Sequence, residues 1–167
     1  ALPILLAWDA DSAGWSAMHF VSDAFGARWG NRPVQIAGVL ACLAPLGLGL
    51  ARGTTPAWRR TYGCMLLVAV VLFNHRAEYA SYVLVAMALG VWCAARPSAA
   101  RIVVVLLSFV AVGPFFARPD AHLGGPLGFF AAHRLFHPLR IVPALVALCM
   151  MQVELLFSLV SRQGSSP

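Results

Sequence analysis

The chain consists of apolar segments separated by short polar interruptions. Residues 34–51 form 18 consecutive positions without a charge, and they predict a membrane-spanning helix because about 20 apolar residues cover the core of a bilayer. Residues 102–117 and 141–160 predict two further spans. Pro45 lies inside the first span, where neighbouring helices make a proline tolerable.

Residues 62–95 are too long for one span. As a single helix they would measure about 51 Å at 1.5 Å per residue, whereas the hydrocarbon core is about 30 Å thick. The polar residues Asn74–Glu78, called the NHRAE segment below, predict a break that gives two spans, 62–73 and 79–95. The first of these is short. Either Trp58–Thr61 extend it, or the NHRAE segment lies below the membrane surface.

The other segments are predicted to flank or connect the spans. Residues 1–33 predict an outward loop with a short amphipathic helix near residues 14–25, because they are too polar to span and their aromatic residues suit a membrane interface. The other predicted connections are the loops 52–60, 96–101 and 118–140, and residues 161–167 predict a flexible polar tail.

The composition agrees with a membrane protein. Hydrophobic residues make up 60% and charged residues 11% of the chain, whereas a soluble domain has about 25% charged residues. All 12 basic residues are arginines. They are dispersed between the apolar segments and do not form one basic patch, which argues against a nucleic-acid partner. The four cysteines show no zinc-site spacing, so we expect no metal. We therefore predict an all-α integral membrane protein with about five transmembrane helices within residues 34–160.

The short loops predict the orientation of these spans. Five spans place the loops 52–61 and 96–101 and the tail on one side, and the NHRAE segment on the other. Each side carries six arginines. Five of the six on the first side lie in two very short loops, where basic residues determine topology most strongly. We therefore predict that the first side is cytoplasmic and that the NHRAE segment faces outward.

The NHRAE segment concentrates ionisable groups between apolar runs. In a helix, His75 and Glu78 would share a face, and a carboxylate next to a histidine makes the ring more basic. Such a pair can act as a general base or orient one, and the fork of donors on Arg76 suits phosphate. A lipid-linked phosphosugar fits this combination. The alternative is an ordinary polar turn between spans, with Arg76 as an interfacial anchor.

Glu154 is an acidic residue within the final predicted span. An intramembrane carboxyl group is a functional candidate by default. The alternative is that Glu154 pairs with a polar group of a neighbouring helix or extends toward the cytoplasmic end. The sequence leaves both interpretations open.

Residues 72–92, "LFNHRAEYASYVLVAMALGVW", resemble the polar hairpin of the glycosyltransferase 87 family of multi-spanning bacterial membrane proteins. Arg76 replaces the usual lysine, and Tyr79 and Ser81 stand where the family usually has a serine and a threonine. Shorter likenesses occur at residues 14–20 and 139–148. The matching residues of the hairpin are Phe73, Asn74, His75, Ala77, Glu78, Tyr82, Gly90 and Trp92.

The resemblance implies a GT-C type transferase of the bacterial plasma (inner) membrane. Such an enzyme moves mannose or another hexose from a polyprenyl-phosphate donor to a glycan or glycolipid acceptor on the outer face, without a cofactor. His75 and Glu78 would support catalysis, and Asn74 and Arg76 would bind substrate. The main base of the family lies in an N-terminal half, so we expect this chain to be a C-terminal portion that is inactive alone.

A second class of function fits the same pattern. In a non-enzymatic membrane protein, such as a transporter fragment or an assembly subunit, His75 and Glu78 would relay protons or ions. The upstream sequence distinguishes the two classes. An outward acidic loop after the first span favours the transferase, and an inverted repeat of the spans favours a transporter.

Overall fold

The computed structural model describes residues 17, 20, 21, 31–74, 81–112 and 136–160. This part of the chain is all-helical, which confirms the predicted all-α class. The predictions for most of residues 1–33 and 118–140 and for the tail concern residues outside the described ranges. The five long helices are α1 (Asn31–Arg52), α2 (Pro56–Leu72), α3 (Tyr82–Ala95), α4 (Ala99–Val112) and α5 (Phe136–Val160).

The connection between α1 and α2 is shorter than the sequence predicts. Most of the predicted loop 52–60 is helical, because α2 already begins at Pro56. The hydroxyl oxygen of Thr55 accepts a hydrogen bond from the N–H of Trp58 at 3.1 Å and so caps α2. Pro56 follows at a position where a helix needs no N–H donor. The Thr-Pro pair is thus a helix start.

The predicted loop 96–101 is also shorter than expected. The backbone N–H of Ile102 donates to the carbonyl of Ser98 at 2.9 Å, and the N–H of Arg101 donates to the Ser98 hydroxyl at 3.3 Å. These bonds form the first turn of α4, which begins at Ala99. The prediction that Arg101 lies in a loop is therefore wrong, because Arg101 belongs to a helix.

The long apolar stretch 62–95 is divided between α2 and α3. At the end of α2, the N–H of Phe73 donates to the carbonyl of Ala69 at 2.9 Å. The 17 residues of α2 correspond to about 26 Å of helix. Trp58–Thr61 therefore extend the short predicted segment, which was one of the two alternatives.

The helices alternate in direction along the chain. The first residues of α2 and α4 and the last residues of α3 and α5 line one common cavity, so these four helix ends lie together. We call this the basic end, because Arg59, Arg60 and Arg96 lie there. The opposite ends of α2 and α3 flank the NHRAE segment.

A stripe of apolar side chains on α5 forms much of the core. The stripe recurs every three or four residues, as expected for one helix face, and α5 packs against α1, α2 and α4. The buried residues of the stripe are Ile141, Ala144, Leu148, Met151, Leu155 and Leu159. The matching stripe on α3 consists of Tyr82, Val85, Leu89 and Trp92.

Helix α1 approaches α2 through small residues. A Cβ atom at Gly38 would lie 2.4 Å from the ring of Phe73, and one at Gly49 would lie 2.7 Å from the ring of Trp58. No side chain fits at these distances, so the two aromatic rings pack directly on the backbone of α1. Small residues have this role in closely packed membrane helices.

Pro45 removes one hydrogen bond from α1, and α5 replaces it. A proline has no N–H, so the carbonyl of Ala41, four residues earlier, loses its helical donor. The side-chain amide of Gln152 donates to this carbonyl at 3.2 Å. Next to it, the Tyr62 hydroxyl donates to the carbonyl of Cys42 at 3.3 Å. The buried proline is therefore tolerated because α5 supplies a donor to the carbonyl of Ala41.

We expect Gln152→Met to lower the free energy of unfolding by about 1 kcal/mol, because the carbonyl of Ala41 loses its donor while the side-chain volume is kept. In a Pro45→Ala background the same substitution should cost much less, since the N–H of the alanine can bond that carbonyl within the helix. Reversible unfolding in mixed detergent micelles measures both costs. Equal costs in the two backgrounds would show that Gln152 does not compensate for Pro45.

Helix α4 buries its polar residues and exposes most of its large apolar side chains. Arg101 and Ser108 are buried, and the Ser108 hydroxyl donates to the carbonyl of Val104 at 2.8 Å. A surface helix of a water-soluble protein shows the opposite arrangement. The exposed side chains of α4 are Ile102, Val103, Leu106, Leu107 and Phe109.

Other helices also expose large apolar side chains, for example Leu50, Val70 and Phe157, at 75%, 66% and 70%. Among the described residues, the segments Arg32–Arg52 and Ile141–Val160 are long and apolar enough to cross a membrane, as judged by length and composition.

Candidate functional site

The predicted site at the NHRAE segment is described only at its first residue. Asn74 follows Phe73, the C-cap of α2, is exposed, and donates its backbone N–H to the carbonyl of Val71 at 3.3 Å. His75, Arg76 and Glu78 lie outside the described residues.

The helix ends that flank this segment belong to the core. Leu72 at the end of α2 and Tyr82 at the start of α3 are both fully buried, and the two helices pack against each other. The NHRAE segment therefore connects adjacent ends of one packed helix pair.

A second polar group lies in the described part of the chain, where Trp92, Arg101 and Glu154 meet. We call these three residues the Arg101–Glu154 cluster. Trp92 comes from α3, Arg101 from the first turn of α4, and Glu154 from the last third of α5. The cluster thus joins three helices near the basic end.

Arg101 is the centre of this cluster. Its Nη2 donates to Oε1 of Glu154 in an ion pair. Its Nη1 donates to two carbonyls at the end of α3, those of Trp92 at 3.1 Å and Arg96 at 2.9 Å. The last carbonyls of a helix lack partners within the helix, so Arg101 also caps α3.

Glu154 accepts hydrogen bonds on both carboxylate oxygens. Oε1 accepts a hydrogen bond from the guanidinium of Arg101, and Oε2 accepts one from the indole N–H of Trp92 at 3.0 Å. The Arg101 guanidinium also lies over the Trp92 ring, with Cζ at 4.6 Å from the ring centroid, which adds a cation–π attraction. Of the two alternatives for Glu154, pairing with a polar group of a neighbouring helix is the observed one.

The burial of the two charges is unequal. The Arg101 side chain is 8% exposed and the Glu154 side chain 32%. A guanidinium this deeply buried needs a partner, since burying an unpaired charge is very costly. Because both carboxylate oxygens and both terminal guanidinium nitrogens have hydrogen-bond partners, the cluster can hold α3, α4 and α5 together.

The chemistry of a metal site is not evident here. Within the ranges that the structure describes, no group of three histidine, cysteine, aspartate or glutamate side chains could hold a metal ion. The cysteines Cys42, Cys64, Cys93 and Cys149 are all free thiols.

A signal for the Arg101–Glu154 cluster was present in the sequence. Glu154 is the only acidic residue inside a predicted span, and such a residue requires a partner. The sequence does not identify this partner, because its pattern predicts Arg101 to lie in a loop, and 53 positions separate Arg101 from Glu154.

The described residues define a class of protein: an all-helical bundle with ionisable groups inside and apolar side chains on its surface. A comparison of the chain with protein-family models, curated proteins and solved structures finds no match.

Proposed function

We propose that the chain is a multi-pass integral membrane protein in which all five long helices cross the bilayer. The inverted polarity of α4 carries this proposal, because Arg101 and Ser108 are buried while most of the large apolar side chains described on the same helix are exposed. In water that surface would be a large apolar patch. In a bilayer, the same surface meets acyl chains, and polar groups must find partners inside the protein.

Within this class, we propose that the chain is the C-terminal membrane portion of a polyprenyl-phosphate-sugar-dependent hexosyltransferase of a bacterial inner membrane. The residues of the 73–92 match support the proposal. So does the packing of α2 against α3, the two helices that precede and follow the NHRAE segment in the chain. The proposed acceptor is a glycan or glycolipid on the outer face.

The roles follow from the chemistry of each side chain. Arg76 would bind the phosphate of the donor with its planar fork of donors, and Asn74 would contact the head group. His75, paired with Glu78, would orient the acceptor hydroxyl or the main base of the enzyme. The sugar would transfer by inverting displacement at its anomeric carbon, with the polyprenyl phosphate as the leaving group.

Binding of the donor tests this proposal without requiring turnover. We expect the full chain to bind a polyprenyl-phosphate sugar, and Arg76→Ala to weaken the affinity by about tenfold or more, the scale of a hydrogen bond to a charged group. Arg76→Lys should retain much of the affinity, because the positive charge is kept. Titration at fixed detergent and ionic strength measures all three proteins.

A polyprenol without phosphate is the matched control for the ligand, and its binding should not depend on Arg76. If Arg76→Ala bound the donor as tightly as the parent chain, Arg76 would be an interfacial anchor and the proposed phosphate contact would be wrong.

A further inference from the structure

A second candidate site lies at the basic end, away from the NHRAE segment. A cavity of about 780 Å³ opens between the first residues of α2 and α4 and the last residues of α3 and α5. Its polar lining consists of Thr55, Arg60, Thr61, Arg96, Arg101, Glu154 and Ser158.

The cavity carries excess positive charge. Arg101 and Glu154 neutralise each other in their ion pair. Arg60 of α2 and Arg96, the residue that follows α3, line the cavity and are exposed, and no carboxylate among the described residues pairs with either of them. Two guanidinium groups are therefore available to a ligand.

Neutral donors add to these charges. Thr55 uses its hydroxyl oxygen to accept the N–H of Trp58, which leaves its O–H proton for a ligand, and Thr61 follows nearly two turns later. Both lie in the first turns of α2, whose N-terminus contributes a partial positive charge. Two arginines, hydroxyl groups and a helix N-terminus together match a phosphate group.

The wall of the cavity indicates what carries that phosphate. Leu155 and Phe157 of α5 line the same cavity, and Phe157 is 70% exposed on the outer surface of the bundle. An apolar surface thus continues from the cavity to the side of the protein where we place the acyl chains. Basic pockets between membrane helices bind anionic lipid head groups in this way.

We propose that this cavity binds the phosphate head group of an anionic phospholipid, held by Arg60 and Arg96. The lipid would connect α2 to α3 at the basic end, which the predicted orientation places on the cytoplasmic side. The inference rests on the proposed membrane insertion, and it does not depend on sugar transfer.

Native mass spectrometry of the full chain, released from detergent micelles, tests the proposal. Phosphatidylglycerol is titrated against phosphatidylcholine, which has the same chains and no net charge. We expect preferential binding of phosphatidylglycerol, and we expect Arg60→Gln and Arg96→Gln each to weaken it by about tenfold.

Arg59→Gln is the matched control. Arg59 is an exposed neighbour of Arg60 on α2 that does not line the cavity, so its loss removes the same charge and should change the affinity less than about twofold, as expected for an exposed charge. Circular dichroism of each variant verifies the helical fold.

Inorganic phosphate provides a second arm that separates a lipid from a free anion. If millimolar phosphate displaces the lipid, the cavity recognises the phosphate group itself; if it does not, the acyl chains contribute to binding. Either result supports the site when the dependence on Arg60 and Arg96 is present. Equal losses in Arg59→Gln and Arg60→Gln, or equal binding of the two lipids, would overturn the proposal. Neither result bears on transfer at the NHRAE segment.

Discussion

Glu154→Leu is expected to lower the free energy of unfolding by about 3 kcal/mol, the lower part of the range for breaking a buried ion pair. The substitution leaves the guanidinium of Arg101 buried without its counter-ion. The side chain of Glu154 is itself one-third exposed to the cavity, and water there should partly solvate the remaining charge, so we expect a value below the upper limit.

The double variant Arg101→Met/Glu154→Leu should be more stable than Glu154→Leu alone. Replacing both members of a buried pair by apolar residues removes the desolvation cost of the charge together with the attraction. The cap on the carbonyls of Trp92 and Arg96 is lost as well, so we expect the double variant to remain less stable than the parent chain.

Reversible unfolding of the single and double variants in mixed detergent micelles measures this coupling. The fluorescence of Trp92, whose indole contacts both charges, should change in every variant. If Glu154→Leu and the double variant were equally stable, the ion pair would not stabilise the packing of α4 against α5.

The second large effect is expected on activity. His75→Ala and Glu78→Gln should each lower sugar transfer by the full-length gene product by about 100-fold or more, the typical contribution of a positioned acid–base group. Both variants should retain the stability of the parent, because their proposed role is in the reaction and not in packing.

Transfer of labelled hexose from a polyprenyl-phosphate donor, measured in isolated membranes, gives the activity. Unfolding measurements on the same variants give the stability. Glu154→Leu serves as a comparison, because it should lower the free energy of unfolding, whereas Glu78→Gln should leave it unchanged. Near-normal turnover in both His75→Ala and Glu78→Gln would assign the NHRAE segment to the structural alternative, a polar turn between helices.

Much of the fold could be predicted because its causes are local. A long uncharged run such as residues 34–51 predicts a helix, because a helix satisfies its own backbone polar groups where no water is available. The break near residue 74 was predicted from length, since a membrane-spanning helix over residues 62–95 would be far longer than a bilayer is thick. The predicted starts of α2 and α4 were wrong. The sequence pattern predicted loops at Thr55-Pro56 and at Ser98, where capping residues begin the helices.

The sequence predicts which residue types belong to the candidate site, but not how these residues are arranged. A histidine, an arginine and a glutamate within the NHRAE segment point to chemistry because such groups are costly among apolar residues. That argument identifies residues, but it does not say which groups meet. The pairing of Glu154 illustrates the difference, since the sequence demanded a partner and could not select one.

The sequence by itself determined which apolar runs form helices, that the run 62–95 must be divided, and that some ionisable groups require partners. Only the tertiary structure decided which partners they have, because Arg101 meets Glu154 across 53 positions and Gln152 meets the carbonyl of Ala41 across 111. Such contacts depend on the order and direction in which the helices pack. Packing is decided by the fit of whole surfaces, such as the glycines of α1 against the rings of Phe73 and Trp58, and no local pattern encodes that fit.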